Sequence, residues 1–166
     1  MSQTVDREAL AAAAKNALQS CMAVRPGETV LVVTDAGCLT VGQALVRAAR
    51  ALGNPGLLLE MDVAEVSGSE PPPAVAAAMK LAPVTLCPGI TADCMVRCLA
   101  ADYDRIAEVT HRVTALLTAG RVAHLTCDNG SDLTLPIGGI DAIASTGLLR
   151  EPGQGGNLPS GEGYLM

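Results

Sequence analysis

Apolar residues recur at helical spacing through an alanine-rich stretch, residues 6–22, which predicts an amphipathic helix at the start of the chain. Arg25-Pro26-Gly27-Glu28 reads as a turn. Residues 29–34 are a short β-branched apolar run, the pattern of a strand buried on both faces. After Asp35-Ala36-Gly37, helical spacing resumes over about residues 40–52, with Gly53 placed as its C-cap. Residues 56–61 form the next strand-like run. Strand, helix and strand joined by short turns make a βαβ unit, and such a unit implies a parallel sheet.

The pattern then becomes less regular. Ser67-Gly68-Ser69-Glu70-Pro71-Pro72-Pro73 reads as a loop whose last proline opens a helix running to about Leu81. A brief extended stretch over 83–89 precedes two helical segments, about 92–100 and 102–119, the second ended by Gly120. Residues 122–127 and 132–136 read as strands around Asp128-Asn129-Gly130-Ser131, and the Asn-Gly pair predicts a hairpin. From Gly138 onward, glycine or proline interrupts the chain every few positions, which excludes long helices and central strands. The expected fold is α/β: a Rossmann-like, open and mostly parallel sheet flanked by helices, with an antiparallel edge. The expected division is an α/β domain over residues 1–150 and a Gly/Pro-rich segment over 151–166.

Composition narrows the function classes. At 166 residues with 49% hydrophobic and 17% charged positions, the chain can bury a core. Phe and Trp are absent and only Tyr103 and Tyr164 are aromatic, so no platform exists for stacking bases. A net charge of −6 opposes binding to a phosphate backbone. Nucleic acid is therefore not an expected partner. No apolar run approaches the roughly 20 residues of a membrane helix. The first residues lack the cationic and apolar regions of a secretory signal, so a cytoplasmic location is expected.

Few residues carry a chemical signature. Cys21, Cys38, Cys87, Cys94, Cys98 and Cys127 lie scattered in apolar segments, and no CxxC occurs. That spacing favours reduced, buried thiols over a disulfide framework or a metal centre, although Cys94 and Cys98 share one helix face. Asp35 follows the first strand, where open α/β sheets bind ligands, but an Asp there also satisfies backbone donors. His111 falls within a helix and His124 within a strand, both more simply structural than catalytic. No phosphate-binding glycine motif and no GxSxG elbow is present. Glu162, held between Gly161 and Gly163 after Pro159, could present a carboxylate to a hard or borderline cation.

Several strings match a known family in order. The run Arg25-Pro26-Gly27-Glu28-Thr29-Val30-Leu31-Val32-Val33-Thr34-Asp35 resembles the opening of the aminopeptidase T family of metallopeptidases. Glu70-Pro71-Pro72, Pro88-Gly89-Ile90-Thr91, Asp102-Tyr103 and Gly130-Ser131-Asp132-Leu133-Thr134 follow in the family's order. Asn157-Leu158-Pro159-Ser160-Gly161-Glu162 resembles its Asn-Leu-Pro-x-Gly-Glu signature. The resemblance implies the N-terminal α/β domain of a dimeric enzyme that removes N-terminal residues from peptide substrates. It implies a centre of two divalent metal ions, zinc, cobalt or similar, with Glu162 as one ligand. The family's other ligands lie downstream of that signature, so this chain is expected to be inactive alone and to bind no metal stably. The resemblance also implies a missing strand–helix unit between Leu81 and Pro88. Iron-dependent, ring-cleaving dihydroxypyridine dioxygenases are similar to the same family and form an alternative. A non-catalytic oligomerisation or binding module, self-associating as a homo-oligomer, is a third expectation.

Overall fold

A computed structural model describes residues 6–63, 66 and 69–166 of the chain. The sequence readings for residues 1–5 and for Ser67 and Gly68 fall outside the described residues. Contacts divide the chain into two compact units, Met1–Ala101 and Asp102–Met166.

The first unit is built on a parallel sheet. Its strands are β1 (Val30–Thr34), β2 (Gly56–Glu60) and β3 (Val84–Leu86), in the order β2-β1-β3. Val32 pairs with Leu58 on one side and with Leu86 on the other. All five residues of β1 are buried, because the central strand is covered on both faces. Leu31 and Val33 pack with Val75 of α3 (Pro73–Leu81), with Leu59 and Met61 beside them. Helix α2 (Leu39–Ala51) covers the opposite face, where Gly42 lies against Thr34 and Leu58. It stops at Leu52, and Gly53 turns the chain at a φ of +82°. Pro73 takes the first position of α3, where a missing N–H costs nothing.

Helix α1 (Arg7–Asn16) packs on α2 and on α4 (Ala92–Leu99). Asp6 caps it by accepting the Glu8 N–H at 2.9 Å. The single helix expected over 6–22 is interrupted: residues 17–21 form a wider π turn closed by Met22 N–H to the Ala17 carbonyl, 3.0 Å. The Asn16 amide donates to the Leu99 and Ala101 carbonyls at 2.7 and 3.1 Å, which fixes the chain where the helix widens. The wider turn seats Ala17, Leu18 and Cys21 together in the core.

The second unit contains one long helix and two strand pairs. Asp102 caps α5 (Tyr103–Ala119) through the Arg105 N–H. β4 (Val122–Thr126) and β5 (Asp132–Pro136) form the expected hairpin, with Asn129 accepting the Ser131 N–H inside the turn. They make a sheet of their own, not an edge of the parallel sheet. Short β6 (Ala142–Ser145) and β7 (Glu162–Leu165) form another antiparallel pair lying on α5. Thr110 and Thr114 are buried on that helix and donate their hydroxyls to its own carbonyls, 2.8 Å to Ile106 and 3.0 Å to Thr110. Residues 151–166 thus end in a strand within this unit. Among the described residues no helix is long and apolar enough to cross a membrane.

Candidate functional site

Glu162 opens β7 opposite Ser145 of β6. The loop before it is tied down by two serines. Ser160 Oγ donates to the Ser145 carbonyl at 2.9 Å and lies 2.6 Å from Ser145 Oγ, while the Gly161 N–H donates to the same carbonyl at 3.0 Å. The flanking glycines are explained by helix packing. A Cβ on Gly161, whose φ is +137°, would sit 2.6 Å from Ile106 Cγ2, and one on Gly163 would sit 2.7 Å from Thr114 Cγ2. Alternation along the strand then turns Glu162 and Tyr164 away from α5, where both are exposed. Gly-Glu-Gly is therefore a device that lays backbone on a helix and projects one acid outward.

That acid has no companions among the described residues. No three His, Cys, Asp or Glu side chains gather there into a group able to hold a metal ion. One carboxylate is too few for zinc, which takes four ligands, or for two ions. The described residues on their own do not fit the metal centre that the Asn-Leu-Pro-x-Gly-Glu resemblance implies.

The other candidates have structural explanations. Asp35 Oδ1 accepts the Cys38 N–H at 3.0 Å, closing the turn that starts α2. Its position is nonetheless notable. β2 and β3 leave β1 on opposite sides, so the ends of β1 and β3 form the switch point where such sheets hold ligands. Cys38 follows β1 and Cys87 follows β3. Burial pushes both thiols up from their ordinary pKa, with Asp35 adding to the effect at Cys38. Neither has the low-pKa thiolate that nucleophilic catalysis needs.

His111 is exposed on α5, as the helix pattern suggested. His124 Nε2 lies 2.7 Å from Asp132 Oδ1, a diagonal cross-strand pair on the hairpin. Both side chains are more than half exposed, so this pair resembles a surface ion pair worth under about 1 kcal/mol. Of the six thiols, Cys21 is in the core, whereas Cys87 and Cys127 are exposed and Cys38, Cys94 and Cys98 are half-buried. The expectation of generally buried thiols is corrected accordingly: Cys87 and Cys127 sit at or just past strand ends, where the chain leaves its packed element. Sequence reading missed Ser145 and Ser160, which lock the Glu162 loop; isolated serines carry no spacing signal.

No family model and no curated protein matches the sequence. Among solved structures, the fold is similar to that of 2,5-dihydroxypyridine dioxygenase from Pseudomonas putida. The TM-score is 0.67 at 19% identity over 95% of this chain. The chain spans 55% of that protein's length.

Proposed function

We propose that this chain is the α/β part of a metal-dependent, ring-cleaving oxygenase, and that it lends Glu162 to a centre whose other donors lie outside its described residues. The observation supporting this is the likeness of fold, over nearly the whole chain, to a dihydroxypyridine dioxygenase. The rigid, outward carboxylate on β7 supports it locally. In this reading the chain's residues have mechanical roles. The Ser145–Ser160 pair fixes the loop, Gly161 and Gly163 set the strand against α5, and Glu162 offers one hard oxygen donor. Peptide hydrolysis is the competing chemistry, and nothing in the comparisons bears on it.

The test supplies Fe(II) to the complete product of the natural gene, with 2,5-dihydroxypyridine in one vessel and leucyl p-nitroanilide in another. Oxygen uptake in the first, lost in Glu162→Gln, is the expected result. Hydrolysis in the second without oxygen uptake in the first overturns the oxygenase reading. Iron content unchanged by Glu162→Gln removes Glu162 from the centre.

A binding or self-associating module is the second reading. The favouring observation is the apolar hairpin face, where Leu125, Leu133 and Leu135 are 54%, 50% and 41% exposed.

A further inference from the structure

Helix α4 turns two faces to different surroundings. Met95 and Leu99 are buried and anchor it, while Asn16 holds its carboxyl end through the Leu99 carbonyl at 2.7 Å. Thr91 Oγ1 accepts the Cys94 N–H at 3.2 Å and fixes the first turn. Cys94 and Cys98 occupy neither the core nor open solvent. Four residues apart, they stand side by side at the half-buried margin, with their Sγ atoms 4.0 Å apart. Core packing does not call for them, since Met95 and Leu99 supply it. An exposed ion pair between Asp93 and Arg97, 3.0 Å long, braces the same helix.

This spacing has a chemical meaning. Two thiolates each about 2.3 Å from one ion stand about 4.0 Å apart at the roughly 120° angle of a three-coordinate ion and about 4.6 Å apart at the roughly 180° angle of a two-coordinate one, so the thiols already stand at the near end of that range. We propose that Cys94 and Cys98 form a two-thiolate clamp for a soft metal ion of low coordination number, Cu(I) being the ion that suits it. Thiolate sulfur binds soft and borderline ions far better than magnesium, and two sulfurs go further toward satisfying Cu(I), which takes two or three ligands, than zinc, which takes four. Binding breaks two S–H bonds, forms two S–Cu bonds and releases two protons to water; copper stays Cu(I) and no electron is transferred. The helix presets the geometry, because both side chains project from one anchored face and little order is lost on binding. The clamp lies in the first unit and does not depend on the reading of Glu162 in the second.

The test is an anaerobic titration of the reduced full chain with Cu(I) bicinchoninate, which reports copper withdrawn from the chelator. One equivalent should be withdrawn, with two of the six thiols becoming unreactive. Cys94→Ser and Cys98→Ser should each weaken binding about 100-fold or more, because the second sulfur acts at high effective concentration. Cys87→Ser and Cys127→Ser, which change exposed thiols, should leave it unaltered. No withdrawal by the unmodified chain, or equal withdrawal by Cys94→Ser, overturns the proposal. Should either serine variant misfold, iodoacetamide footprinting of the unmodified chain decides the matter. Copper must shield Cys94 and Cys98 while Cys87 and Cys127 react, and shielding of any other pair overturns the clamp.

Discussion

The two units bury their strands in opposite ways. In the first, every residue of β1 is buried between helices. In the second, every residue of the β4–β5 hairpin is exposed except Ala123, which is half-buried. The patterns differ as well: β1 is an unbroken apolar run up to Thr34, whereas β4 and β5 alternate apolar residues with His124, Thr126, Asp132 and Thr134. Coverage follows pattern: a central parallel strand has helices on both faces, whereas a hairpin pairs its own backbone and can leave its side chains in water. Stability of the second unit accordingly rests on α5 against β6 and β7, with Tyr103 and Ile137 buried, and not on the hairpin.

That contrast predicts an order of mutational effects. Leu18 is fully buried in the first unit, and Leu18→Ala should cost about 2–5 kcal/mol in denaturant unfolding followed by far-ultraviolet circular dichroism. A cost under about 1 kcal/mol would mean that the π turn does not seat this side chain in a packed core. Gly161→Ala should cost about 1–3 kcal/mol, since the new Cβ meets Ile106 at 2.6 Å on backbone with a φ of +137°. Both tyrosines, Tyr103 and Tyr164, belong to the second unit, so tyrosine fluorescence should register this loss. Leu133→Ser should change stability by no more than about 0.5 kcal/mol, because the side chain is already half in water. Its measurable effect should be lower light scattering at high protein concentration. Unchanged scattering would argue against the hairpin as a contact face, and a cost above about 1.5 kcal/mol would erase the contrast between the units.

Most elements of the first unit were readable because they carry strong local signals. β1 is an unbroken β-branched run, α2 has a clear apolar period, and the Pro at the start of α3 and the Gly after α2 mark their ends. The hairpin was readable from its Asn-Gly turn. β6 and β7 were not. Each spans four residues, too short for a period to register, and they pair across a separation that no local pattern encodes. The π turn was also hidden, since it depends on Asn16 reaching carbonyls more than eighty positions away. At the candidate site, Glu162 was visible as an unusual acid between glycines, but the reason for those glycines was not. They answer to Ile106 and Thr114 on a helix some fifty residues earlier.

By itself the sequence determined the chain's class, the identity of most helices and the parallel character of its first sheet, because spacing and turn residues act over a few positions. Only the tertiary structure decided that the hairpin makes a sheet of its own, that Glu162 faces outward without companions among the described residues, and that two thiols meet at 4.0 Å. Those outcomes depend on which distant surfaces come into contact, and contact between distant surfaces is a property of the packed chain.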